Sequence, residues 1–367
     1  MLLTRHREIS LTVKYLFSKQ MSRVRLPHLA PKMKTPYTQH KNKVITTDSK
    51  FTHVMAIALD PRTSYKEGVV RCITSREGDV SVSGYVDRSE LHKVKEISEG
   101  SFKIGEKLII RNESEVVSSI KGNLDFIGLE DPDIWIDEKN DLLHLYFTLL
   151  LIDKVDHDNT RIHLGHAVGK NLDSLEMTAP ILIADSIGGA KELSIVPVNK
   201  NGVRLNLVES SKKERDFTYS IVRVAIAEDM GKPWIFGDIV FHPKENKIPW
   251  IGGHASPGPI FSKNFIDIGD GKLVGVMNGR EANKRIGKEI KYGTFSIGLF
   301  VYDYEKGKID WVSPEPFIQD TEAKTITFAS QFVETGQGEG ILYAHVDDSF
   351  IRAYTLNAES IKSIIGK

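Results

Sequence analysis

One arrangement of apolar runs recurs from residue 50 to the end of this 367-residue chain, and it limits the fold more than any single motif does. A short apolar run, a polar turn of Gly, Asn or Asp and a second apolar run follow one another at residues 134–136 and 143–150, 195–198 and 203–208, 265–268 and 273–277, and 328–333 and 341–346. A looser member spans 54–71. Short runs between turn residues, with almost no 3.6-residue periodicity lasting beyond two turns, predict an all-β body. Taking Asp60, Asp131, Glu192, Gly258 and Ser330 as equivalent places gives five units, 61 to 72 residues apart. That interval suits a four-stranded blade, so the fold expected is a five-bladed β-propeller over residues 51–367, behind a basic N-terminal extension over 1–50. In a propeller, side chains distant in sequence converge on one funnel. A pair of β-sandwiches is the competing architecture.

The net charge of zero conceals an uneven distribution. Residues 1–50 hold 11 Lys or Arg against Glu8 and Asp48, which leaves the remainder acidic. Such a head suits a flexible or partly helical extension, a targeting segment or a surface-binding arm; Met21 and Met33 are alternative starts. The rest of the chain has no basic stripe, which argues against a nucleic-acid partner. No apolar run of about 18 residues argues against a membrane-spanning one. The single cysteine, Cys72, excludes an intramolecular disulfide and a cysteine zinc cage and fits a cytoplasmic protein. His163 and His166 lack a third partner, so no metal site is expected, and no Gly-rich loop precedes a helix in the manner of a nucleotide fold.

Five motifs, read in order, resemble glycoside hydrolase family 130, the mannoside phosphorylases and related mannosidases. Gly128-Leu129-Glu130-Asp131-Pro132 is similar to the family's Gly-x-Glu-Asp-Pro-Arg signature. Lys191-Glu192-Leu193, leading into Ile195-Val196-Pro197, is similar to its Lys-Asp-Ala segment. Gly258-Pro259-Ile260, Ser313-Pro314-Glu315-Pro316-Phe317, and Leu342-Tyr343 through Asp348 resemble three later elements. The likeness spans roughly residues 52–356, and the ordered succession is more specific than any one motif. Asp133 stands where the family has arginine, and Ala344-His345-Val346-Asp347-Asp348 replaces a run of small residues.

The resemblance implies inverting cleavage of β-mannosides or similar short oligosaccharides, with Asp131 as general acid. Breaking a glycosidic bond requires protonation of a poor leaving group, so a positioned carboxylic acid is the minimum. Pro132 fixes its own φ and disfavours helix at Asp131. Phosphorolysis would take inorganic phosphate as co-substrate and needs cations opposite the acid, for which Arg161, Lys191 and His254 are candidates. Hydrolysis needs a carboxylate base instead, Glu192 or Glu209. Glu130 and Asp348, less so Asp347, are candidates for binding sugar hydroxyls. Trp135, Tyr146 and Trp250 could stack on a sugar, although packing within a blade is the commoner use of such residues. Asp133 would repel phosphate if it shared the funnel with Asp131. No organic cofactor is called for, and a homo-oligomer is compatible with the sequence. A propeller that binds sugars or proteins without catalysis is the alternative of a different class.

Overall fold

The computed structural model describes residues 36–47, 50–51, 53–78, 85–153, 160–214 and 217–366. Within these the chain is all-β, built as five antiparallel sheets of four strands, the first joined to the second and the third to the fourth by one parallel bridge each, with a separate hairpin of Lys284–Ile286 and Glu289–Lys291. The first holds His53–Leu59, Glu67–Glu77, Val86–Ser98 and Ser101–Lys107. The second holds Asp125–Asp137, Leu142–Ile152, Thr160–Gly169 and the two-residue Glu176–Met177. Lys191–Ser194, Arg204–Glu214, Phe217–Ala227 and Ile235–Phe241 form the third; His254–Ile260, Lys272–Arg280, Phe295–Asp303 and Lys308–Val312 form the fourth. In the fifth, Thr327–Gly336, Glu339–Val346 and Phe350–Asn357 are joined by Tyr37–Thr46, which pairs antiparallel with Phe350–Asn357.

That last pairing moves the expected boundary. The compact unit begins at Pro36 rather than at 51, because the side chains of Val44 and Ile45 are buried between the fifth and first sheets. The basic segment 1–35 lies outside the described residues. Two expected strand positions also differ. The opening strand of the fourth sheet is His254–Ile260, not 265–268, and strand pairing in the third stops at Ser194, ahead of 195–198.

The sheets bury both faces, which is why Leu142–Ile152 can be apolar almost throughout. Val69 and Leu91 of the first sheet pack with Leu143 and Phe147 of the second. Tyr146 and Leu164 of the second meet Val208 and Ala225 of the third. Leu207 and Val222 then meet Met277 and Phe300 of the fourth, Val276 and Leu299 meet Leu342 and Tyr354 of the fifth, and Val333 and Ile351 meet Ile57 and Val70 of the first. Each sheet thus shares a core with the next, and the fifth with the first.

Every opening strand is interrupted by a bulge at one equivalent place. Register shifts fall at Ala56, at Asp131-Pro132, at Glu192, at Gly258-Pro259 and at Ser330. Four of these are the places read from the sequence; in the first sheet the equivalent residue is Ala56, not Asp60. Asp60 instead caps the short turn Pro61–Thr63, its Oδ1 accepting the Arg62 N–H at 2.9 Å. Ala56, Asp131 and Glu192 adopt φ of 48°, 47° and 50°, a left-handed conformation uncommon outside glycine and frequent where a strand must re-aim a side chain. Gly128 has φ 145° and pairs with Ser89 across the first two sheets; a Cβ there would lie 2.1 Å from the Ser89 carbonyl oxygen. Only glycine lets these backbones approach, which explains the first residue of the Gly128–Pro132 motif.

Candidate active site

The five bulges line one cavity of about 1030 Å³. Its walls are the opening strands from the bulges onward, including Asp133, Trp135, Ser194, Ile260 and Gln331. Residues on the other side of the bulges build a charged cluster. Asp131 and Glu192 stand at the junction of the two.

Arg71, at the centre of Glu67–Glu77, holds the acidic motif in place. Its Nη1 donates to Asp131 Oδ1 at 2.8 Å, its Nη2 to Glu130 Oε1 at 2.6 Å, and its Nε to Ser89 Oγ at 2.9 Å. Ser89 Oγ lies 3.2 Å from the same Glu130 oxygen. Burial opposes the charge on Asp131, but Arg71 and then Lys191 outweigh it and hold this carboxyl below its usual range. Burial wins at Glu130, which is pushed up to about 7 in spite of Arg71. Glu192 is driven well above the carboxylate range, first by burial and then by the negative charge of Asp131, with which it shares a hydrogen bond. Two buried carboxyls this close cannot both ionise, so the pair holds one proton, resting on Glu192.

Lys191 and Glu209 face each other across the first two strands of the third sheet, with Nζ 3.3 Å from Oε1. His254 Nε2 lies 3.0 Å from the other oxygen of Glu209. Burial opposes the charge of Glu209, yet His254 and Lys191 bring it down to about 2. Lys191 is raised despite burial, by Glu209 and Asp131. His254 is pushed down to about 4 by burial and is neutral near pH 7.

Asp348 joins from the fifth sheet, its oxygens 3.4 Å from Arg76 Nη2 and 3.4 Å from His345 Nε2. Arg76 in turn grips Asp87 through two bonds of 2.6 Å. Asp347 instead accepts the backbone N–H groups of Lys324, Thr325 and Ile326, ordering the approach to the fifth sheet. Glu130, Asp131, Lys191, Glu192, His254 and Asp348 are therefore brought together. Arg161 is not: it opens the third strand of the second sheet as an exposed residue, and among the described residues no ion pair ties it to the cluster. Tyr146 and Trp250 are buried in sheet cores, with Tyr146 Oη donating to Met230 O and Trp250 Nε1 to Ser313 O. Trp135 lines the cavity, under the Arg204 guanidinium at 5.4 Å. His163 accepts the Ala184 N–H, and His166 pairs with His144 at 2.9 Å.

Motif reading missed Arg71, Arg76, Asp87 and His345. Most sit on strands after the opening one, and strand pairing is the signal that could have found some of them. Arg71 pairs with Met55, one residue before a bulge, just as Glu209, already a candidate from the sequence, pairs with Lys191.

Asp133 turns away from this cluster. Past the bulge it faces the cavity, and burial, slightly offset by the Ile134 N–H, pushes its carboxyl up to about 7 with no charged neighbour contributing. The folded state thus binds a proton that an unfolded aspartate, at about 3.9, releases. The stability this confers is complete below pH 4 and lost as pH rises through 7. Asp133→Asn is expected to raise unfolding stability at pH 8 by about 1–3 kcal/mol, allowing for the partial exposure of the group, and to leave it unchanged at pH 4. Urea unfolding at the two pH values checks this.

Five all-β sheets thus share cores in cyclic succession, with a buried carboxylate–cation cluster against their opening strands. No protein-family model matches the sequence, and no curated protein does. Solved structures do match. The chain is similar to a glycosyl hydrolase from Bacteroides ovatus (16% identity, 88% of this chain and 94% of that one, TM-score 0.62). It is similar to the β-1,2-mannobiose phosphorylase of Listeria innocua in complex with β-1,2-mannobiose (12%, 90% and 99%, 0.60). It also matches a structure from work on the GH130 family of mannoside phosphorylases and its glycoside hydrolases that target β-1,2 mannosidic linkages in Candida mannan (15%, 90% and 96%, 0.62). The chain has the fold of these family 130 structures.

Proposed function

We propose that the protein is a five-bladed β-propeller enzyme that cleaves β-mannosides or similar short oligosaccharides with inversion, in the cytoplasm, with the Asp131–Glu192 pair delivering the proton to the leaving oxygen. The cyclic succession of shared cores supports the propeller. The observation that carries the chemistry is the pair itself: one proton on two buried carboxyls, steadied by Arg71 and Lys191, beside a cavity large enough for a disaccharide. The names of the structural neighbours supply the sugar class.

Two observations bear on the nucleophile. Burial and the charge of Asp131 raise Glu192, which disfavours it as the resting base of a hydrolase, and Glu209, held down to about 2, is a weak base. Asp133, standing apart from the cluster, does not repel an anion there. Both favour phosphate over water. Incubating the protein with β-1,2-mannobiose, with and without inorganic phosphate, and following the anomeric products by NMR is the test. Release of α-mannose 1-phosphate only when phosphate is present is the expected result, and phosphate-independent cleavage would make it a hydrolase. No cleavage across a panel of β-mannosides would overturn the assignment.

A further inference from the structure

The cavity beyond the bulges differs in chemistry from the charged cluster behind them. Along Asp125–Asp137 its wall runs from Asp131 at the floor to Asp137 near the mouth, roughly 20 Å at the rise of a strand. Charged groups gather at its two ends: the Asp131–Glu192 pair on the floor, and Glu138, Lys139 and Lys263 at the rim. Between them stand Trp135, Ile195, Val198, Ile260 and Phe332. Val198 is 49% exposed, past the point at which strand pairing stops at Ser194, so its side chain has no sheet core to enter.

This stretch of wall offers little to a hydroxyl. Several of its hydrogen-bonding side chains are already spent on the bulged strands themselves. Ser194 Oγ donates to Gly258 O, and Ser330 Oγ accepts the Ile57 N–H at 3.1 Å. Gln331 accepts the Leu59 N–H at 3.1 Å and donates to Phe332 O at 3.0 Å. Arg204 turns Nη1 onto Val196 O and lays its guanidinium over Trp135. The backbone is short of donors as well, because Pro132, Pro197, Pro257 and Pro259 have no N–H to give. Asp133 and the outer edge of Arg204 are polar points in this stretch, not a lining. A sugar ring carries a hydroxyl on nearly every carbon, and each one buried without a partner is costly. An apolar group has no such requirement and gains with every methylene it buries.

We propose that the cavity receives the leaving group of the substrate and that this group is apolar: a β-mannoside of an alkyl or aryl alcohol, its mannosyl unit on the charged side of the Asp131–Glu192 pair and its aglycone against Trp135, Ile195, Val198, Ile260 and Phe332. The proposal rests on the reading of the pair as proton donor to the leaving oxygen, and adds the class of alcohol that leaves. Standing where charged cluster meets apolar wall, the pair is placed at the bond that joins a polar sugar to an apolar aglycone.

Methyl and n-hexyl β-mannoside release alcohols of similar acidity, so the ratio of their kcat/KM values, with phosphate present, reads the fit of the chain and not the ease of breaking the bond. The hexyl glycoside is expected to exceed the methyl by about tenfold or more, which burial of two methylene groups supplies. Val198→Asp, at an exposed position, is expected to lower that ratio by about fourfold, the worth of one methylene. Ile195→Asn, deeper in the wall, is expected to bring it near one; if this variant does not fold, Val198→Asp still reads the site. Titration calorimetry with the uncleaved methyl and hexyl 1-thio-β-mannosides makes the same comparison without turnover, the hexyl compound binding about tenfold tighter or more and with the more negative heat-capacity change. Equal kcat/KM for the two glycosides, a ratio that neither substitution changes, or a preference for β-1,2-mannobiose over both overturns the apolar site and leaves the reaction in place. Tighter binding of the hexyl thiomannoside, lowered by Val198→Asp, in a protein that cleaves no β-mannoside would leave the apolar site standing and remove the proposed reaction.

Discussion

Asp131→Asn is expected to reduce cleavage of an unactivated β-mannoside by about 10²–10⁴-fold, the usual contribution of positioned proton transfer, because it breaks the carboxyl pair that holds and delivers the proton. Asparagine tolerates the left-handed conformation this position requires, and its amide oxygen can still accept from Arg71, so the variant should fold. Two further signatures separate loss of proton delivery by the pair from loss of shape. Aryl mannosides with good leaving groups need little protonation and should lose far less activity. The negative charge of Asp131 also helps to keep Glu192 protonated. Removing it lowers the Glu192 pKa, so the alkaline limb of the residual activity should move to lower pH. Parallel rate–pH profiles on both substrate types measure all three effects, and an Asp131→Asn variant with full activity would remove the pair from the chemistry.

The sequence announces the opening strands and conceals what lies behind them. Asp131, Glu192, Gly258 and Ser330 could be aligned because each occupies a bulge, where a turn-like residue interrupts an apolar run at a regular interval. Ala56 could not, because alanine carries no such signature; Asp60, four residues on, has the look of a motif and only caps a turn. Residues on the second strands are harder still. Arg71 reads as one charge in Val69-Val70-Arg71-Cys72-Ile73, and nothing local says that register brings it to Glu130 and Asp131, 59 and 60 residues away. Arg161 fails for the opposite reason. Its local context resembles a strand-end cation aimed at a cleft, but strand order sets it in the third strand of its sheet. Asp133 illustrates the limit of counting alternation along a strand: two residues from Asp131 should mean the same face, and the bulge between them sends the two carboxyls to different surroundings.

Arg71→Met is expected to be the most destabilising single change at the site, by about 3–5 kcal/mol at pH 7.5, because it leaves two buried carboxyl groups without their counter-ion. The loss should depend on pH in a way that a packing defect would not. In the wild type the depressed pKa of Asp131 contributes stability above pH 4 that is lost as pH falls through the folded value. Without Arg71 the largest opposing influence is burial, which raises both carboxyls, so the variant is most stable when they are protonated and loses stability as pH rises. The deficit relative to wild type should therefore grow from pH 4 to pH 7.5, leaving little more than a packing cost at the acid end. Arg71→Lys keeps the charge but not the fork that reaches Asp131, Glu130 and Ser89 together, and is expected to recover part of the loss. Urea unfolding of the three proteins at both pH values decides the matter. Equal deficits at pH 4 and pH 7.5 would mean that Arg71 packs the cleft without governing the ionisation of its acids.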